Sequence, residues 1–253
     1  MKLLNPSETF VDHLTDLPLF SGLDRSHRWA LLKTAKIVSA ESGDFLFREG
    51  DPALGFFILK TGRVKLRKIS ASGHEVVLHI AEPPHMIGCK GLTLPGSICP
   101  ADAVAIDATI SLHFQRELFL KEVANSPEVF FSLLVNLNQR LSEVFALRST
   151  LQEPVAQRIA TFLLLQAQPM NSTGDQLNIK GLRDVRLTKR LIAAAVGTTT
   201  ETAIRVLSKW SKQGMIASQR GRIKILDPEA ILALTQDAFS LDREVEERQS
   251  LVV

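Results

Sequence analysis

Between Ile37 and about Phe119, short apolar runs are cut repeatedly by glycine and proline. The runs are "DFLFREG", "GFFILKTG", "RVKLRKI", "EVVLHIA" and "ATISLHF". The cuts fall at Glu49-Gly50-Asp51-Pro52, Thr61-Gly62, Ser72-Gly73 and Glu82-Pro83-Pro84. Runs this short, rich in β-branched and aromatic residues and bounded by turn formers, read as strands. Their even spacing predicts an antiparallel sandwich or barrel.

The flanking segments have a different period. Ahead of the strands, "LDRSHRWALLKTAKIV" has helical periodicity. Behind them, a long helix is expected from Ser126 to Thr150. Leu134, Leu137, Leu141, Val144 and Leu151 form a stripe on it, interrupted by Arg148. Such a stripe is either a face packed on its own domain or a dimer seam. Gln152-Glu153-Pro154 breaks the helix and forms a hinge. Further helical patterns follow in "VAQRIATFLLLQAQ", "LTKRLIAAAV" and "GTTTETAIRVLSKWSKQGMI". "RGRIKIL" reads as a short strand and "PEAILALTQDAF" as a last helix. The expected class is α+β, with divisions at 1–125, 126–153, 154–235 and an acidic tail at 236–253.

Composition narrows the function. No apolar run reaches the length of about 18 residues that a membrane span needs. "MKLLNPSETF" has no long apolar core, so it is not a secretory signal. Two cysteines, Cys89 and Cys99, are too few for a disulfide framework or for a four-cysteine iron–sulfur cluster held by this chain alone. A cytoplasmic location is expected. There is no Gly-rich phosphate loop, HExxH or serine elbow, and the carboxylates are scattered, so no enzyme is expected. Charge is unevenly placed. Residues 1–153 carry a net −1, residues 154–227 a net +8 and residues 228–253 a net −4. A basic block between near-neutral and acidic parts is the electrostatic footprint of a nucleic-acid binder.

Within that block, Lys189 to Val196, Gly197 and a helix from about Thr199 outline a helix-turn-helix. Gly197 can take the positive φ that a tight interhelical turn needs. Val196, Ala203 and Val206 supply the apolar wedge. In this motif the second helix presents its N-terminal side chains to base edges in the major groove. An arginine there can bind guanine through O6 and N7, and a glutamate can accept from cytosine N4. Candidate contacts are Thr198, Thr199, Thr200, Glu201, Arg205 and Lys209 on the helix, Lys189 and Arg190 ahead of it, and Arg220 and Arg222 on the "RGRIKIL" wing. Thr198 to Glu201 also fits a capping box, and Glu201 with Arg205 an i,i+4 pair. Ala203, Ile204, Val206, Leu207 and Trp210 form the apolar side.

These residues resemble the CRP/FNR regulators over about residues 15–235. The resemblance rests on Gly50, Gly62, Gly73, Gly88 and Gly91, on "QRIATFLL" at 157–164, and on "TTTETAIRVLSKWSKQGMI". It implies a β-roll (double-stranded β-helix) effector domain, a long dimerisation helix and a C-terminal winged helix-turn-helix. It also implies a homodimer on a palindromic operator, and contact with RNA polymerase if the protein is an activator. The implied effector pocket includes Gly88, Cys89, Lys90, Cys99, Val144 and Phe145. Cyclic-AMP-binding members keep a Gly-Glu pair for ribose and an Arg-Ser pair for phosphate. The stretch here is "IGCKGLTLPGSICPADA", with Cys89 for Glu, Cys99 for Arg and Pro100 for Ser. Without its charge-assisted arginine a buried cyclic phosphate loses several kcal/mol, on the order of two strong hydrogen bonds. Val144 and Phe145 stand near the family's polar adenine contacts and offer no hydrogen bond. Cyclic-nucleotide activation is therefore not expected.

Haem, a small organic effector, thiol oxidation at Cys89 and Cys99, or no ligand all remain open. His79, His85 and Met86 are candidate haem ligands. In that respect the chain is similar to members that sense nitric oxide through haem, including regulators of the hybrid-cluster protein. The reading from another class is a cyclic-nucleotide-regulated signalling subunit that borrows a β-roll.

Overall fold

The computed structural model describes residues 2–4, 10, 14, 17–20, 22–124, 126–168 and 179–235. The acidic tail at 236–253 lies outside the described residues. The chain divides into two compact units, Met1–Asn136 and Leu137–Val253.

The first unit is an antiparallel β-roll. One sheet has the order β1-β2-β9-β4-β7, from Lys2–Leu4, Ala35–Ala40, Thr109–Gln115, Gly55–Thr61 and Met86–Ile87. The other has the order β3-β8-β5-β6, from Phe45–Phe47, Asp102–Ala105, Val64–Ile69 and Glu75–Ala81. Strand β4 explains the arrangement. Its run Phe56-Phe57-Ile58-Leu59 is buried on both faces, and a strand apolar on both sides needs cover on both. Phe56 and Ile58 enter one core with Leu112 and Phe114 of β9. That core is closed by Leu31 and Leu32 of α1 (Arg25–Thr34), Phe119 and Val123 of α3 (Arg116–Val123), and Val129 and Leu133 at the start of α4 (Pro127–Ser149). Phe57 and Leu59 face the roll interior with Leu46, Val64, Ala81, Ile87, Ala103 and Ala105.

The helix ahead of the roll is shorter than its periodicity suggests. Asp24 caps α1 by accepting from the His27 N–H at 2.8 Å, and the helix ends at Thr34. The strand then starts at Ala35, because Ile37 and Val38 point to the two opposite cores. Ala35 and Val38 merely continue the helical spacing by coincidence. At Gly62 the chain turns with φ +78, and a Cβ there would collide with Ala108 and Thr109. The position therefore needs glycine for two reasons.

The second unit holds α5 (Val155–Ala167), α6 (Lys189–Val196), α7 (Thr200–Lys212), the hairpin β10 (Ile216–Gln219) and β11 (Arg222–Ile225), and α8 (Pro228–Ala233). Ile159, Leu163, Ile192, Ala203, Leu207 and Ile223 are buried at its centre.

His113 on β9 lies against Phe57, with ring centroids 4.4 Å apart. Burial, then the nearby Lys36 charge, hold its imidazole below the usual range. The folded chain therefore keeps His113 neutral, whereas the unfolded chain protonates it below about pH 6.5. The stabilisation is present above that pH and is lost as pH falls through the lower folded value. Thermal unfolding of His113→Phe should show a smaller loss of Tm between pH 7 and pH 5 than the parent; equal losses would rule out this group as a source of acid sensitivity.

Candidate nucleic-acid interface and effector pocket

Local capping sets the recognition surface. Thr188 caps α6 by accepting from the Leu191 N–H at 3.2 Å. Gly197 closes α6 in the left-handed region, at φ 65 and ψ 52. The Thr198 N–H then bonds back to the Ala193 carbonyl at 2.9 Å. Thr199 caps α7 by accepting from the Thr202 N–H at 3.2 Å. The capping box expected from Thr198 to Glu201 is therefore absent. With Thr199 as the cap, the third helical residue is Thr202, and Glu201 falls one position too early to reach back.

Helix α7 turns Ala203, Leu207 and Trp210 inward. Val206 is half-buried. Thr200, Glu201, Ile204, Arg205 and Ser208 share the opposite face, as their spacing on a helix requires. Ile204 belongs on that outward face and not on the apolar side; it is 42% exposed. Its position four residues after Thr200 was the signal for this. Glu201 and Arg205 are both exposed. Among the described residues they form no ion pair with each other, so the i,i+4 pairing is not made in the free chain.

The other candidates are dispersed around this helix. Thr198 is half-buried in the turn, Thr199 is exposed at the cap, and Lys209 is exposed two turns after Arg205's neighbour Thr202. Lys189 and Arg190 open α6, the first half-buried and the second exposed. Arg220 is exposed at the hairpin tip. Arg222 stands 3.6 Å from Asp184, so its charge is shared with a carboxylate. The hairpin is anchored to the segment ahead of α6 by two 2.8 Å bonds between Val185 and Ile223 backbones.

In the roll, Gly88 turns with φ +79 and lies under the Phe47 ring. Cys89 precedes the short helix α2 (Lys90–Thr93), and its side chain makes no cap bond there. Lys90 is half-buried. Cys99 is 5% exposed, and burial followed by the Asp51 charge pushes its thiol up, against an opposing effect of Lys90. A thiol so placed holds little thiolate, which is the reactive form. Val144 and Phe145 are exposed on α4 in the second unit.

His79 on β6 sits opposite Leu66 of β5 and in edge contact with His85, ring centroids 5.5 Å apart. His85 Nδ1 is 2.8 Å from the Glu82 carbonyl. Met86 pairs with Ile58 and packs into the helix-covered core, whereas Leu66 packs on the roll interior. The structure therefore brings His79 and His85 together and sends Met86 elsewhere. Haem does not fit this arrangement. The two imidazoles touch each other, and the roll interior is filled by Leu46, Phe57, Leu59, Val64 and Ile87, each 7% exposed or less. Among the described residues no group of three or more His, Cys, Asp or Glu side chains is placed to hold a metal ion.

A glycine-hinged helix pair with a hairpin wing follows an antiparallel roll in one chain, and comparison with known proteins agrees at both ends. The Cyclic nucleotide-binding domain family matches residues 37–126, and the Crp-like helix-turn-helix domain family matches residues 157–234. This chain belongs to the CRP/FNR family of transcription regulators. The CRP-like cAMP-activated global transcriptional regulator of Mycobacterium tuberculosis is 28% identical over 84% of this chain and 94% of its own. The transcriptional activator protein Anr of Pseudomonas protegens is 26% identical over 77% and 78%. FixK2 from Bradyrhizobium japonicum shares the fold, with TM-score 0.66 and 22% identity over 79% of this chain and 96% of its own. The CRP/FNR chain is a DNA-binding regulator with an effector-type domain and not an enzyme. No helix among its described residues is long and apolar enough to cross a membrane.

The packed roll interior leads to one expectation. Titration with cyclic AMP should give no measurable heat, and titration with haemin no sharp Soret band; micromolar binding of either would mean that the interior opens for it.

Proposed function

We propose that this regulator acts as a homodimer on a two-fold symmetric operator, each subunit reading one half-site with the outward face of α7. The observation that carries the reading is the exposed, unpaired Glu201 and Arg205 at the N-terminal end of a helix inside a basic unit. Arg205 binds a guanine through O6 and N7, and Glu201 contacts the cytosine side or orients Arg205. Thr200 has no bidentate fork, so selection at the outer position is weak and rests on the thymine methyl. Ile204 adds a second apolar contact of that kind. Thr198 and Thr199 order the start of the helix. Lys189, Arg190, Lys209 and Arg220 contact phosphate, and Arg222 does so in competition with Asp184. As an activator it would touch RNA polymerase as well.

The dimer reading is supported by α4. Leu134, Leu137, Leu141, Val144 and Phe145 are each 40% exposed or more, an apolar stripe that an isolated helix leaves in water. The segment from 126 to 153 would then be dimerisation helix and hinge. Its effect on DNA is a population shift, set by whatever biases the two states differently. For that bias, the filled roll and the buried Cys99 favour a roll that works without cyclic nucleotide, haem or thiol chemistry.

Replacing Leu137 and Leu141 together with Glu puts four charges into one seam. Sedimentation should then show monomers; a persisting dimer would assign the stripe to a different role. Binding-site selection tests the operator reading. Arg205→Ala should cost about 1–3 kcal/mol per half-site and relax preference at one base pair. If parent and variant recover the same motif with the same preferences, Arg205 does not read a base.

A further inference from the structure

The "QRIATFLL" segment contains a side chain whose work lies outside its own helix. Arg158 sits in the first turn of α5, its N–H bonded to the Pro154 carbonyl at 3.2 Å. Its guanidinium reaches 38 residues along the chain to the end of α6. There Nη1 donates to the Val196 carbonyl at 2.8 Å and, at 3.4 Å, to the Gly197 carbonyl. Its Nε is buried with no protein partner, so the group is held in place by these carbonyls and by packing.

The last carbonyls of a helix have no partner within it, and a cation there also meets the negative end of the helix dipole. The chemistry is unusual here because of what it holds. Gly197 is the hinge between α6 and α7, and a Cβ on it would lie 3.6 Å from Arg158 Nη1. Helix α6 is eight residues long and ends in Ala193-Ala194-Ala195-Val196, so the turn that follows it sets where α7 begins. Recognition helix α7 starts only three residues beyond Gly197. A site that must bind a base edge has to be held within about 0.5 Å and 10–20°.

We propose that Arg158 is a positioning residue for operator reading: its guanidinium locks the α6–α7 turn and so aims Arg205 at its base pair. This rests on the assignment of Arg205 above. Arg158 itself touches no base or phosphate in this role. A lysine has three donors on one nitrogen, but it is one bond shorter than arginine and lacks the planar guanidinium, so it replaces these contacts only in part.

The test compares Arg158→Met, Arg158→Lys and Arg205→Ala in the full-length protein, using a selected operator and a scrambled duplex of equal length. Arg158→Met should lower the ratio of operator to scrambled affinity at least about tenfold, the size of one lost guanine contact. The slope of log affinity against log salt should stay at the parent value, since no phosphate contact is removed. Arg158→Lys should recover part of the ratio. An unchanged ratio in Arg158→Met, whatever its Tm, overturns the proposal. A slope reduced by about one makes Arg158 a phosphate contact instead and also overturns it. Should the methionine variant not fold, the lysine variant decides: a ratio below the parent's with the slope kept supports the proposal, and a parental ratio overturns it. If Arg205→Ala leaves the ratio unchanged, it is the assignment of Arg205 that fails.

Discussion

Strand β4 is apolar on both faces, and the first unit is organised around that fact. Phe56 and Ile58 demand a helical layer on one side; Phe57 and Leu59 demand the facing sheet on the other. The first demand draws in α1, α3 and the start of α4. The second closes the roll around small residues, Ala81, Ala103 and Ala105, which let the two sheets approach. A pocket deep enough for a nucleotide would have to be taken out of that second core. The aromatic chain Phe47–Phe57–His113 already occupies its flank, with centroids 5.9 and 4.4 Å apart.

The strands, the long helix, the left-handed glycine and the wing were all legible, because each follows from local chemistry: turn formers between apolar runs, a helical apolar period broken only at Arg148, a glycine between two amphipathic segments. Errors arose where two local rules fitted the same letters. Four threonine-rich positions allowed two caps, and the helix chose Thr199, which moved Glu201 out of capping range. Ile204 follows an apolar residue and precedes Arg205, so its side of the helix depended on where the helix began. His79 and Met86 are close in sequence, yet they lie on strands of different sheets, and only Met86 packs on the helix-covered core. The Arg158 contact was invisible, since nothing in "QRIATFLL" shows that its arginine spans to a turn 38 residues away.

The two units depart from generic behaviour in opposite senses. At the DNA end, charged side chains on α7 are left without partners, a state that costs nothing in water and becomes useful against a base pair. At the roll end the interior is apolar: Cys99 is buried there, and Leu46, Phe57, Leu59, Val64 and Ile87 pack at the centre.

The Val185–Ile223 bonds have a mechanical consequence. A hairpin wing tied by one edge to the segment ahead of α6 cannot swing independently of the recognition helix. In the proposed complex the wing and α7 would meet a duplex as one template of fixed span. A rigid template leaves the adjustment to the nucleic acid, whose bending energy depends on sequence. Base steps lying between the helix and wing contacts would then influence affinity through their flexibility, although no side chain touches them.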